Sequence, residues 1–348
     1  MARKGREFVD RLYPDVVHVP AADIYLTYRC NMRCRHCFVG PALDRGTDLP
    51  KAALISFLQT ARPEWETREI SFLGGEPTLY PHIDFAIQLG RELGYHMRVV
   101  SNGGSSLLRL MKRHGAEDFD LAVSLDAASP ARHDALRRRG SFRTAVESIT
   151  VGRQQGRRVS AILSVGRHNL DQALDTLLLL GRLGVDHVNV HYVTDRGFAS
   201  ADMLASPEEW RHLRDQIIGS SGLPDVRFEG TFRPAGRSLS CAAEQESMLM
   251  LFPDQRIYSC TMFVGLPDGN AHRWRDGSLI RNERFRSRYR PTGEPSGHCP
   301  AASFVNEGLP RSAEAAGCTI GCIFDKEFIT ARQAGHAAVT QKIDRRAQ

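Results

Sequence analysis

The sequence predicts an α/β protein: a partial (β/α)6 barrel followed by a small, irregular, cysteine-bearing C-terminal extension. Three observations predict it. From Ala22 to Val193, short β-branched runs alternate with amphipathic stretches, as parallel strands do when helices join them. The residues richest in chemistry follow those strands, where a parallel α/β sheet gathers its ligands. Beyond Val193 the rhythm breaks, and irregular stretches hold five of the eight cysteines.

The strands are expected at Asp23 to Thr27, Glu69 to Leu73, His96 to Ser101, Leu121 to Asp126, Val159 to Val165 and His187 to Val193. Period-3.6 patterning places helices between them at Lys51 to Ala61, Ile83 to Leu93, Leu107 to His114, Thr144 to Gln155 and Asp171 to Leu183. Asn169 or Asp171 can cap the last of these, and Gly184 can end it. Ser206 to Ile218 reads as a further capped helix, with Pro207 in its first turn and Glu208 and Glu209 near its positive end. Met248 to Phe252 and Ile257 to Ser259 flank a turn and predict a hairpin ending at Cys260. These signals divide the chain into an N-terminal extension (1–21), the barrel (22–220), a cysteine-bearing domain (221–330) and a terminal helix or tail (331–348).

At 348 residues, 42% hydrophobic and 25% charged, the chain has the composition of a soluble globular protein. Its longest apolar stretch, Leu174 to Leu183, is interrupted by Asp175, Gly181 and Arg182 and falls short of the roughly 20 residues of a membrane span. The net charge of +6 is carried by arginine and is read as a solvated surface; nucleic acid is not the expected partner. An arginine-rich stretch from Arg273 to Arg290, interleaved with Trp274, Phe285 and Tyr289, covers a substrate or faces solvent. Met1 to Val9 carries no apolar export segment, so a cytoplasmic location is expected, where thiols persist as metal ligands or catalysts.

Cys30, Cys34 and Cys37 lie in a C-x3-C-x2-C loop directly after the first strand. Three thiolates can hold three irons of a 4Fe-4S cube and leave the fourth iron open to a small molecule, whereas a fully ligated cluster suits electron transfer alone. Zinc sites usually offer paired C-x2-C units or Cys/His mixtures, and a disulfide needs an oxidising compartment. The loop resembles that of radical S-adenosylmethionine (SAM) enzymes. The resemblance implies that SAM chelates the open iron and that an electron from the cluster cleaves it to a 5′-deoxyadenosyl radical. That radical abstracts hydrogen from carbon. A flavodoxin- or ferredoxin-type donor would supply the electron. The family's aromatic residue before the third cysteine is here His36.

The same resemblance assigns Gly74, Gly75 and Glu76, in the Gly-Gly-Glu-Pro sequence after the second strand, to the SAM amine. It assigns Ser101, Asn102 and Ser124 to SAM as well, with Asp126 facing SAM or substrate. Ser164, Val165 and Asn169, at or after the fifth strand's end, occupy positions that in the family often lie near the nucleoside, with structural capping as the equal rival. His191, Tyr192, Asp195 and Arg196 end and follow the sixth strand, where a substrate would approach. Among these His191 suits proton transfer.

The C-terminal set, Cys241, Cys260, Cys299, Cys318 and Cys322, resembles the SPASM and twitch extensions of radical SAM enzymes, which carry auxiliary 4Fe-4S clusters. The full SPASM pattern needs more cysteines than these five, so the resemblance implies one auxiliary cluster, held by Cys241, Cys260, Cys318 and Cys322, with Cys299 able to replace one of them. Gln255 departs from that pattern, which has glycine there. A spare Cys299 would be a hydrogen-atom donor for an epimerase.

The expected function is hydrogen abstraction from a polar natural-product intermediate of sugar or aminocyclitol type, giving epimerisation or dehydrogenation. A peptide maturase is the alternative, and a non-catalytic iron–sulfur protein the alternative of another class. The 29 residues ahead of Cys30 favour a small substrate over a peptide, being too few for a fused leader-binding domain.

Overall fold

A computed structural model describes residues 19–230, 232, 248–289 and 326–330. Its described strands form one twelve-stranded sheet. The parallel centre comprises β1 (Ala21–Tyr25), β2 (Glu69–Leu73), β3 (His96–Ser101), β4 (Asp120–Ser124), β5 (Val159–Val165), β6 (His187–Tyr192) and β7 (Asp225–Glu229). Between them run α1 (Lys51–Trp65), α2 (Ile83–Glu92), α3 (Ser105–Met111), α4 (Pro130–Leu136), α5 (Ser141–Gln154), α6 (Ala173–Arg182) and α7 (Pro207–Gly219).

The six expected strands and the helices between them are present, with ends shifted by a few residues. α1 runs through Pro63 to Trp65 instead of stopping at Ala61. Trp65 anchors this last turn by packing at 5.5 Å from Phe57 and 5.9 Å from Trp274, which outweighs the bond lost at proline. α7 starts with the capping box of Ser206 and Glu209. α4 has no counterpart in the sequence reading because its only buried residues are His133 and Leu136, too few for an apolar period. β7 extends the parallel sheet beyond position 220, its buried Val226 and Phe228 alternating with Arg227.

At the other edge β8 (Met248–Leu251) pairs parallel with β1, and β9 (Arg256–Tyr258) folds back on it as the expected hairpin. Gln255 sits in the turn at φ 61°, the left-handed region that glycine occupies most easily. The position that departs from the resembled pattern thus holds a conformation that glycine favours. β10 (His272–Arg275) and β11 (Ser278–Arg281) continue this edge, α8 (Glu283–Tyr289) follows, and β12 (Lys326–Ile329) returns antiparallel on β7. Among the described residues, no helix is long and apolar enough to cross a membrane.

Strand alternation separates two faces. Ile24, Phe72, Val99, Val123, Leu163 and Val190 are buried in the core formed with the helices. Asp23, Ser71, Arg98, Asn189 and Arg227 occupy the opposite face and are only partly buried. β12 lies seven strand positions from β1, about 34 Å across a flat sheet. Yet Lys326 on β12 acts electrostatically on Asp23 of β1 and senses Arg98 of β3. The sheet therefore curls into a partial barrel, with these polar side chains inside.

Inside the barrel, burial pushes the Asp23 carboxyl up to about 6, against the opposing pull of Ser71, Arg98 and Lys326. The folded chain thus holds this proton to higher pH than the unfolded chain, so the contribution is full below about pH 4 and lost as pH rises through 6. Asp23→Asn is expected to remove that slope from the pH dependence of urea-unfolding stability between pH 4.5 and 6.5. Parallel slopes in the two proteins would contradict it.

Candidate active site

The cysteine loop leaves β1 over the carboxyl ends of the sheet and is tied down from several strands. Thr27 Oγ1 donates to Asp48 at 2.6 Å, and Arg29 grips the same carboxylate through Nε at 3.1 Å and Nη2 at 2.6 Å. From the β2 loop, Gly75 N–H donates to Thr27 O at 2.7 Å and Glu76 N–H to Arg29 O at 2.8 Å. From the β3 loop, Asn102 Nδ2 donates to Asn31 Oδ1 at 2.8 Å. From the α4 side, Arg138 Nη1 reaches Asn31 O at 2.9 Å, and Leu136 O accepts from Arg35 N–H at 2.9 Å. From the β6 loop, Phe198 N–H donates to Cys37 O at 2.9 Å. Residues distant in sequence thus converge on one eleven-residue segment, Thr27 to Cys37.

Glycine at 74 and 75 is dictated by this closure. A Cβ on Gly74 would lie 2.6 Å from Thr27 O, and one on Gly75 would lie 2.4 Å from Arg29 O. Both obstacles are backbone, which cannot swing aside.

Cys30, Cys34 and Cys37 are partly buried and near enough that ionised Cys34 and Cys37 would disfavour ionising Cys30. Burial pushes the Cys30 thiol up to about 12 and Cys34 to about 11, so metal binding must displace protons from them. No three His, Cys, Asp or Glu side chains among the described residues are arranged around a single metal ion. Three free thiols on one short loop suit a multi-iron cluster with one iron left open.

Glu76 is 1% exposed, and its carboxylate is the hub of the β2 and β3 ends. Oε1 accepts from Thr78 Oγ1 at 2.6 Å, Thr78 N–H at 3.3 Å and Ser101 Oγ at 2.8 Å, while Oε2 accepts from Asn102 N–H at 2.9 Å. Burial raises its pKa, and these donors oppose the shift. Sequence reading places Glu76, Ser101 and Asn102 side by side as ligand contacts; the structure shows that they also hold one another.

Asp126 is fully buried and equally occupied. Oδ1 accepts from Ser164 N–H at 3.0 Å, and Oδ2 meets His36 Nε2 at 3.3 Å and the Arg137 Nε–H in a short contact. Burial alone would raise its pKa, but Arg137 and then His36 hold the carboxyl well below the usual range. Burial pushes His36 down to about 4 against the pull of Asp126, which keeps the imidazole neutral at pH 7. The His36 ring stacks at 6.2 Å with His168. His36 Nδ1 and both His168 ring nitrogens are buried without a hydrogen-bond partner among the described residues. Orphaned nitrogens beside the cysteine loop fit a polar ligand supplied from outside the chain.

The remaining expected residues divide. Ser124, Ser164 and His191 lie on the barrel's inner side. Val165 is wholly buried because alternation turns it to the helices, and its carbonyl accepts from Val193 N–H at 2.9 Å. The Asn169 side chain makes no helix-cap bond and instead ties the β4 and β5 ends together: Nδ2 donates to Asp126 O at 2.7 Å and Ser164 O at 2.9 Å, and Oδ1 accepts from Gly166 N–H at 2.9 Å. His191 Nδ1 meets Glu229 Oε2 at 3.1 Å, and Glu229 also accepts from Tyr192 N–H at 3.0 Å. Asp195 and Arg196 lie partly buried in the loop after β6. Sequence reasoning missed Glu229, Arg137 and His168, which belong to β7, the end of α4 and the β5 loop. Only the alternation of Val226 and Phe228 signalled the first of these.

Cys260 is buried just after β9, while Cys241, Cys299, Cys318 and Cys322 lie outside the described residues. The sequence model of the radical SAM superfamily matches residues 24–198, half of the chain. The chain belongs to the radical SAM superfamily. Membership brings a 4Fe-4S cluster and SAM as cofactors, and the thiol triad with its orphaned nitrogens fits them. The mycofactocin maturase MftC of Mycobacterium tuberculosis is 24% identical over 330 residues, covering 85% of this chain and 82% of its own. An S-adenosylmethionine-dependent nucleotide dehydratase from a Thermoplasmatales archaeon is 29% identical over 162 residues. That match spans 44% of this chain and 51% of the dehydratase. Among solved structures, Streptococcus suis SuiB bound to its precursor peptide SuiA superposes with a TM-score of 0.63 at 15% identity, covering 81% of this chain and 68% of SuiB. At that identity the likeness shows the fold.

Proposed function

We propose that this radical SAM enzyme modifies a carbon centre of a ribosomally made peptide, as an oxidoreductase or epimerase. The observation that carries the substrate class is the maturase match, which runs through 85% of the chain and into the region beyond the barrel. When bound, the cluster and SAM supply a carbon-centred oxidant for hydrogen abstraction. The chain's own residues hold the loop, exclude water and orient the substrate.

In this reading Cys30, Cys34 and Cys37 hold the cluster. The Gly74–Glu76 segment, Ser101, Asn102 and Ser124 surround SAM, with His36 and His168 offering the orphaned nitrogens. Asp126 keeps His36 and Arg137 in place from behind. His191, oriented by buried Glu229, moves a proton at its exposed edge. Cys260 joins Cys241, Cys318 and Cys322 at an auxiliary cluster, or Cys299 replaces one of them or donates a hydrogen atom.

A sugar- or aminocyclitol-type substrate is the second reading, favoured by the hydrogen-bonding inner face of Asn189, His191 and Lys326. Anaerobic incubation in deuterated water with reductant and SAM separates the two. Precursor peptides encoded beside the gene are expected to lose two hydrogens or gain solvent deuterium at carbon. Unaltered peptides together with turnover of an aminocyclitol would overturn the peptide reading.

A further inference from the structure

We propose that Arg137 is a positioning residue that sets the reduction potential of the iron–sulfur centre from the Cys34 side. Arg137 caps α4, and its side chain is 7% exposed. Its Nε–H donates to Asp126, and Nη1 lies 3.9 Å from Cys34 Sγ. One guanidinium thus bridges a wholly buried carboxylate and a cluster thiol.

The arrangement has a direction. Asp126 on its own would place a negative charge behind a centre that must accept an electron. Its other contacts are the Ser164 N–H at 3.0 Å and the His36 ring at 3.3 Å, so among the described residues Arg137 is the one guanidinium set against it. Arg137 cancels it and aims Nη1–H at the Cys34 sulfur. A cation and an N–H···S contact both favour the reduced, more negative centre. Arginine suits the position because its planar fork reaches two acceptors while staying charged. Arg138, next in the chain, binds Asn31 O at 2.9 Å, so fastening the loop to this segment does not depend on Arg137 alone.

The test is a potentiometric titration followed by electron paramagnetic resonance on the full, anaerobically reconstituted chain without SAM. A parallel sample with SAM identifies which signal belongs to the open-iron centre. Arg137→Gln is expected to leave about tenfold less centre reduced at a given potential, a drop of about 59 mV for one electron. Arg137→Lys, which keeps the charge, is expected to recover most of that loss, and Asp126→Asn to shift the potential upward. Full iron loading of Arg137→Gln with an unchanged potential overturns the proposal, including when SAM binding is weakened. Should Arg137→Gln fail to load iron, an unchanged potential in Asp126→Asn overturns it.

Discussion

Cys30→Ala is expected to abolish 5′-deoxyadenosine formation while leaving the fold intact. Among the described residues the thiol accepts one weak bond, from the Met32 N–H at 3.4 Å. The loop around it is fastened through Thr27, Arg29, Asn31, Arg35 and Cys37, none of which needs the Cys30 sulfur. Two thiolates cannot keep a four-iron cube with one defined open corner, so the effect falls on cofactor loading. Reconstituted wild-type chain is expected to hold about eight irons, four at this loop and four at the auxiliary site, and the variant about four. Chromatographic assay of 5′-deoxyadenosine and iron analysis on the same samples decide it. Reductive SAM cleavage at the wild-type rate would remove Cys30 from the site, and a wild-type value near four would remove the auxiliary cluster.

The parallel barrel was readable because two-residue alternation and helical periodicity reinforce each other from Ala22 to Val193. Local anchoring overrode that signal where α1 passes Pro63 to bury Trp65, and where α4 forms around only His133 and Leu136. The cysteine triad stood out by its spacing after a strand, whereas Glu76 stood out only through the resemblance of its Gly-Gly-Glu-Pro sequence. Arg137 and Glu229 were not legible. Their partners, Asp126 and His191, sit 11 and 38 residues away in sequence, so one pair exists only once α4 folds back over the end of β4 and the other only once β6 and β7 pair. The glycines were legible as a site of close approach, but what approaches them is the chain itself.

That last point yields the second large effect. Gly75→Ala is expected to destabilise the protein by on the order of 3 kcal/mol and to impair cluster loading together with stability. The added Cβ would sit 2.4 Å from Arg29 O, 2.7 Å from Arg29 C and 2.8 Å from Tyr28 O. These atoms belong to the segment that receives Gly75 N–H and Glu76 N–H, so relief requires opening the joint between the β2 loop and the cysteine loop. Opening it moves Cys30, the residue that follows Arg29, and draws Glu76 away from Ser101 and Asn102. A glycine elsewhere supplies the control: Gly219, at the end of α7, has nothing within 4 Å of an added Cβ, so Gly219→Ala is expected to be neutral or slightly stabilising. Urea unfolding and iron content measured on both variants separate the outcomes. If Gly75→Ala folds and binds iron as the wild type does, the joint is not the element that fixes the cysteine loop.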